Sequence, residues 1–193
     1  MKQATFETVS QLQLLINKLI HAAANDADFI RSTLSGLIKV DEFWGRLFRV
    51  WEESRSNQSP AWLGLHRSDY LIENDTAKMV EFNTIASSMG GHAVGISQMH
   101  RSIGTTAQLK TPVNNVISSL SFGMKKAVEL FCSKFNLELN QVCVIVLCEE
   151  GTSRNFSDQK RVELELQKQL NYEVDICRAP LSAFDDIVPD HNG

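Results

Sequence analysis

The sequence predicts a mixed α/β protein in which helices come first, a β-hairpin follows, and a parallel sheet begins near the end. Three observations carry that prediction. Apolar residues recur at three- and four-residue steps through residues 5–51, the period of an amphipathic helix. Between residues 62 and 85 the pattern changes to two extended stretches around a polar turn. The apolar run Val142-Cys143-Val144-Ile145-Val146-Leu147-Cys148 then leads into a helical pattern and a second short strand pattern, the strand–helix–strand unit of parallel sheets.

Taken in order, Phe6, Val9, Leu12, Leu15, Ile16, Leu19 and Ile20 define a helix over residues 5–24, and Asn25-Asp26 supplies a turn with capping oxygens. A second helix is expected over 28–40. A third, over 41–51, carries Phe43, Trp44, Leu47, Phe48 and Trp51 on one face, read as core packing. The polar segment 52–60 reads as a loop. Residues 62–72 and 78–85 form the hairpin around Glu73-Asn74-Asp75-Thr76-Ala77. Helices follow over 92–103 and 114–135, separated by a linker over 105–112. Residues 142–148 read as a buried strand, 149–156 as a loop, 157–170 as a helix ended by Asn171, and 173–177 as a strand. This organisation divides into a region 1–112, holding the helices and hairpin, and a region 113–193, holding a helix and the start of an α/β subdomain. Two parallel strands are a sheet begun and not finished, so an incomplete chain is expected.

Composition narrows the function. Nineteen Lys and Arg against 23 Asp and Glu give a net charge of −4, which lacks the basic surplus of a nucleic-acid binder. The longest apolar run is far short of the ~20 residues that span a bilayer, and the periodic N-terminus is unlike a signal peptide. Cys132, Cys143, Cys148 and Cys177 show no C-x-x-C spacing. They read as buried, reduced thiols of a cytoplasmic protein.

Four clusters could carry chemistry. Glu81 and Asn83, two apart on a strand, project from one face, where their oxygens can converge on a hard cation; a solvated strand edge is the alternative. Arg67 and Asp69 share a face of the other strand. A register in which paired numbers sum to an even value, as with Leu71 opposite Met79, sets Arg67 opposite Asn83, whereas an odd sum sends Arg67 to the other side. A plain surface Arg–Asp pair is the alternative there. Ser87-Ser88-Met89-Gly90-Gly91, between a strand and a helix, can present amides and hydroxyls to an anion, or can be an ordinary loop. Arg154, Asn155 and Gln159 stand at the carboxyl end of a parallel strand, where ligands of open α/β sheets gather, although Asn155 also suits a helix cap. His92 and His100 are about 80° out of phase on a helix and make no metal pair.

The stretches Leu63-Gly64-Leu65-His66-Arg67-Ser68-Asp69-Tyr70, Val80-Glu81-Phe82-Asn83-Thr84-Ile85-Ala86-Ser87-Ser88-Met89-Gly90-Gly91 and Arg154-Asn155-Phe156-Ser157-Asp158-Gln159 together resemble the N-terminal portion of eukaryotic-type glutathione synthetases, ATP-grasp ligases. The resemblance implies ATP-dependent joining of γ-glutamylcysteine to glycine through an acyl phosphate, with Mg²⁺ as cofactor, in a cytoplasmic homodimer. It further implies that Arg67, Ile85, Ala86, Ser87, Ser88, Arg154, Asn155 and Gln159 bind substrate, that Glu81 meets ATP, and that Glu81 and Asn83 ligate the metal. No residue of this chain is implied as catalytic.

Three departures stand out: Ala86 replaces a usual serine, Met89 a usual phenylalanine, and Ser153 a usual acidic residue. The family's glycine-rich lid, ATP-binding lysines and further acidic metal ligand have no counterpart before Gly193, so these 193 residues are expected to be inactive alone. A non-catalytic homologue that binds γ-glutamyl peptides or pairs with a full-length subunit is the second reading. An unrelated regulatory α/β domain is the third.

Overall fold

The structure, a computed structural model, describes residues 1–55, 62–85, 87–103, 113–148 and 154–183. Ala86, Ser153, the expected linker 105–112 and most of the loops over 52–60 and 149–156 lie outside the described residues. The chain forms two compact units, Met1–Ser87 and Ser88–Gly193.

In the first unit, α1 (Gln3–Asn25), α2 (Ala27–Leu34) and α3 (Glu42–Ser54) precede the hairpin strands β1 (Arg67–Glu73) and β2 (Thr76–Asn83). Each break between helices carries its own cap. Asp26 Oδ1 accepts from the Phe29 amide at 3.0 Å and Asp41 Oδ1 from the Trp44 amide at 3.1 Å, satisfying amides that have no partner within the helix. The helix expected over 28–40 stops at Leu34, and a single 3₁₀ turn, Leu37–Lys39, follows. Gly36 falls at the break, where continuing the helix would cost about 1 kcal/mol. Conversely α3 runs past residue 51, because Arg31 grips Glu52 with two bonds of 2.6 and 2.9 Å.

The aromatic face of α3 is not a closed core. Phe43 and Trp44 remain 49% and 39% exposed, and Ile16 is the sole buried apolar residue among those described in this unit. The Phe48 and Trp51 rings instead meet at a tilt of 39° with centroids 5.4 Å apart, and the Arg55 guanidinium stands 4.9 Å from the centroid of the Trp51 ring. The start of α1 holds the hairpin tip. Lys2 pairs with Asp75 at 2.6 Å, and the Thr5 hydroxyl donates to the Asp75 carbonyl at 2.7 Å.

The second unit contains α4 (Gly90–Ser102), α5 (Val116–Phe135), β3 (Cys143–Cys148), α6 (Phe156–Gln169) and β4 (Asp175–Pro180). The two strands pair in parallel, from Cys143 opposite Asp175 to Cys148 opposite Pro180. Leu166, Leu170 and Val174 form its core, packed against Met124, Val128, Leu139, Val142, Val144 and Ile176. Fully buried Ser121 lets α5 and α6 approach closely, and its hydroxyl donates to the Val162 carbonyl at 3.1 Å.

Two sequence expectations change here. The strand over 142–148 is covered on one face only, with Ile145 43% and Leu147 38% exposed. Cys132 is buried as expected, but Cys143 and Cys177 are exposed, because odd-numbered β3 and β4 residues point away from α5 and α6. Further, α4 belongs to the second compact unit. Hydrogen bonds from α6 to α4 are the reason.

Candidate functional site

The hairpin begins at a two-residue turn whose residues, Asn74 and Asp75, both have positive φ, 48° and 63°. This is the type I′ geometry that matches strand twist, and it pairs Glu73 with Thr76, Ile72 with Ala77, Leu71 with Lys78 and Tyr70 with Met79. Continued unchanged, that odd-sum register would set Arg67 opposite Phe82. It does not continue. Asp69 pairs with Glu81, Ser68 with Phe82 and Arg67 with Asn83, leaving Val80 as an unpaired bulge residue. The expected even register therefore holds at the far end of the hairpin, while Leu71 faces Lys78 and not Met79.

The bulge sorts the two faces. Since a one-residue slip transfers a strand's side chains to the opposite face, the shift gathers Arg67, Asp69, Glu81 and Asn83 on one side. His66, Ser68, Tyr70, Phe82 and Met79 fall on the other, where the His66 and Phe82 rings approach to 5.1 Å. Burial lowers the pKa of His66 below the ordinary imidazole value.

Within the polar face, Arg67 holds Asp69 through Nε–Oδ1 at 2.9 Å and Nη2–Oδ2 at 3.3 Å. Asp69 also stands directly across from Glu81, a like-charge pairing that antiparallel strands disfavour unless a cation offsets it. The Asn83 Nδ2 atom is buried without a hydrogen-bond partner. Two hard-oxygen side chains, with a second carboxylate opposite, fit Mg²⁺, which keeps several waters and takes its remaining ligands from phosphates. No three His, Cys, Asp or Glu side chains converge as a closed metal cage among the described residues.

Past β2 the chain turns sharply. Ile85 is exposed at 61%. The Ser87 hydroxyl is turned inward, donating to the Leu65 carbonyl at 2.7 Å and approaching the Asn83 carbonyl at 3.1 Å. Ser87 therefore ties the loop to the end of β2 and to the segment that leads into β1. Ser88, half-buried, opens the second unit.

In that unit the anion cradle expected at Ser87–Gly91 already holds an anion of the chain itself. Asp158, 3% exposed in the first turn of α6, accepts from the Met89 amide through Oδ2 at 2.8 Å and from the His92 amide through Oδ1 at 3.0 Å. The carboxylate thus neutralises the positive end of α4. Met89 sits at φ 79°, a left-handed conformation that costs a non-glycine residue about 1–2 kcal/mol. Arg161 donates to the Gly91 carbonyl at 2.8 Å. A Cβ on Gly91 would lie 2.9 Å from Asp158 Oδ1, so only glycine admits this approach.

Arg154 is exposed in the turn before α6, and Asn155 occupies the N-cap position without a capping bond from its side chain. Gln159, half-buried on α6, accepts through Oε1 from Arg178 Nη2 on β4. Asp158, Arg161, Glu163 and Arg178 were not singled out as site residues from the sequence. The repeat Gly91-x-x-x-Gly95, facing Asp158-x-x-Arg161, was the one local signal of this packing.

Residues 1–173 match the model of the eukaryotic glutathione synthase ATP-binding domain. The glutathione synthetase large chain of Schizosaccharomyces pombe is 33% identical over 190 residues, covering 84% of this chain and 38% of that protein. Human glutathione synthetase is 32% identical over 175 residues, covering 84% and 35%. The chain thus spans little more than a third of these relatives' length. A solved structure of a glutathione synthetase-like effector from Globodera pallida superposes with a TM-score of 0.75 at 16% identity, covering all of this chain and 44% of the other; this likeness bears on fold alone.

Proposed function

The chain belongs to the eukaryotic glutathione synthase ATP-binding domain family, and on that premise we propose that it supplies the γ-glutamylcysteine- and Mg²⁺-binding residues of a glutathione synthetase. In this reaction ATP phosphorylates the cysteinyl carboxylate and releases ADP. The glycine amine then attacks the acyl phosphate, forming the amide and releasing phosphate.

The observation that supports this reading best is the bulge at Val80, which gathers Arg67, Asp69, Glu81 and Asn83 on one hairpin face. Arg67 presents a guanidinium to a substrate carboxylate, and Asp69 fixes its plane. Glu81 and Asn83 offer oxygens to Mg²⁺, and Glu81 borders ATP. Bound there, the metal offsets phosphate charge. Ile85, Ala86 and Ser88 contact the peptide through backbone or hydroxyl groups, and Ser87 through its backbone, since its hydroxyl is committed to Leu65 and Asn83. Arg154, Asn155 and Gln159 are assigned to peptide binding as well. Cytoplasmic location and homodimerisation of the full-length enzyme belong to the same proposal; among the described residues no helix is long and apolar enough to cross a membrane.

Calorimetric titration of the 193-residue chain with γ-glutamylcysteine, with and without MgATP, tests the reading. Binding that disappears in Arg67→Ala supports it. No binding, or binding indifferent to Arg67→Ala, overturns it. Glutathione formation is expected to be absent in this chain alone, and turnover with ATP and glycine would refute that part.

A further inference from the structure

Arg178 is surrounded by α6 on three sides. Its Nη2 donates to Gln159 Oε1, its Nε lies 3.0 Å from Glu163 Oε1, and its guanidinium carbon stands 4.8 Å from the Phe156 ring centroid. Glu163 is 3% exposed, and its Oε2 accepts a hydrogen bond from Lys160 Nζ at 3.0 Å. The side chain of Arg178 is only 24% exposed. Phe156, Gln159 and Glu163 recur at helical spacing, so one face of α6 forms a slot for this residue.

The chemistry of arginine gives this contact a direction. A guanidinium has donors and no acceptor, so of the two ends of the Gln159 amide only the oxygen can face it. The Nε2 end is then turned away from Arg178, carrying two N–H donors. A glutamine free to rotate could offer either end to a ligand; this one is set to donate.

We propose that Arg178 is a positioning residue that fixes the Gln159 amide as a donor, making Gln159 selective for a carboxylate of the bound peptide over a carboxamide. The proposal rests on the γ-glutamyl-peptide reading given above. Lys160 and Arg178 share the single carboxylate of Glu163, a surplus of positive charge that favours the same charge on the ligand. Arg178 touches no ligand in this scheme. Its effect is transmitted through one hydrogen bond.

The test is calorimetric titration of the 193-residue chain with γ-glutamylcysteine and with its two mono-carboxamide analogues. The wild type should prefer the parent peptide over one analogue by about tenfold or more, the scale of a charge-assisted hydrogen bond. Arg178→Met should collapse that preference to about twofold or less, because the amide can then rotate; Glu163 retains Lys160 in this variant. Arg178→Lys, which still donates to Gln159 Oε1, should restore most of the preference, a rescue that mere packing would not give. Should Arg178→Met fail to fold, Gln159→Glu decides the matter. It keeps the partner of Arg178 but turns an oxygen to the ligand, and should lose the preference. An unchanged preference in Arg178→Met or Gln159→Glu overturns this inference alone. Absence of peptide binding by the wild type overturns both it and the functional reading.

Discussion

Asp69 lies directly across the hairpin from Glu81, two carboxylates paired where antiparallel strands disfavour like charges. Arg67 offsets one of them, through its bonds to Asp69. Glu81 therefore carries a charge that a divalent cation would relieve. Thermal unfolding should shift upward with millimolar Mg²⁺ in the wild type and stay fixed in Glu81→Gln. Without the metal, Glu81→Gln should be more stable than wild type by about 0.5 kcal/mol, as expected for removing one like-charge pair.

Inserting one alanine between Val80 and Glu81, with the bulge kept at Val80, should carry the end of β2 one step along β1. Phe82 would then face Arg67, and Glu81 and Asn83 would move to the opposite side. Binding of γ-glutamylcysteine should be lost while far-ultraviolet circular dichroism keeps its helical signal. Val80→Ala, which preserves the residue count, should bind as wild type does.

Removing the carboxylate from Asp158 leaves the Met89 and His92 amides without their acceptor. Asp158→Ala should lower urea-measured stability by about 2–4 kcal/mol, and Asp158→Asn by less, since one amide oxygen can still accept.

Met89 is half-exposed and holds a left-handed backbone at the entrance to α4. Met89→Gly should therefore raise stability by about 0.5–1 kcal/mol, the relief of backbone strain exceeding the entropy that glycine adds to the unfolded chain. A lower denaturation midpoint would contradict this account.

Burial depresses the pKa of His66 from its ordinary value of 6.5. The unfolded chain then takes up a proton that the folded chain resists, so stability is constant above that value and falls as pH drops below it. Urea midpoints at about pH 7.5 and about pH 5.5 should differ more in wild type than in His66→Gln.

Element types and order were legible because each depends on a local period: the helices on apolar steps, β3 on its apolar run, and the end of α6 on Asn171, whose φ is 53°. The grouping of Arg67 with Asn83 was legible too, but for an incomplete reason. Parity reasoning assumed one register throughout, whereas two registers meet at Val80. The adjacent apolar pair Met79-Val80, interrupting an otherwise alternating strand, marks the place where the phase breaks. Burial was the least legible property. Periodicity tells which residues share a face but not whether anything covers it, so it implies interiors for Phe43, Trp44, Cys143 and Ile145 that they do not occupy. Pairings between distant segments, such as Glu163 with Arg178, leave no mark in local spacing.

The hairpin's tight turn and its polar far end obey opposite parities, and one supernumerary residue reconciles them. Length in this segment is consequently constrained in one direction. Val80 can be lost, because the ladder then closes with Arg67 still opposite Asn83, whereas a residue gained between Val80 and Glu81 sets Phe82 there instead. Substitution at Val80 is cheap and insertion beside it is ruinous, so this stretch contributes to the site by its count and hardly at all by what stands at Val80.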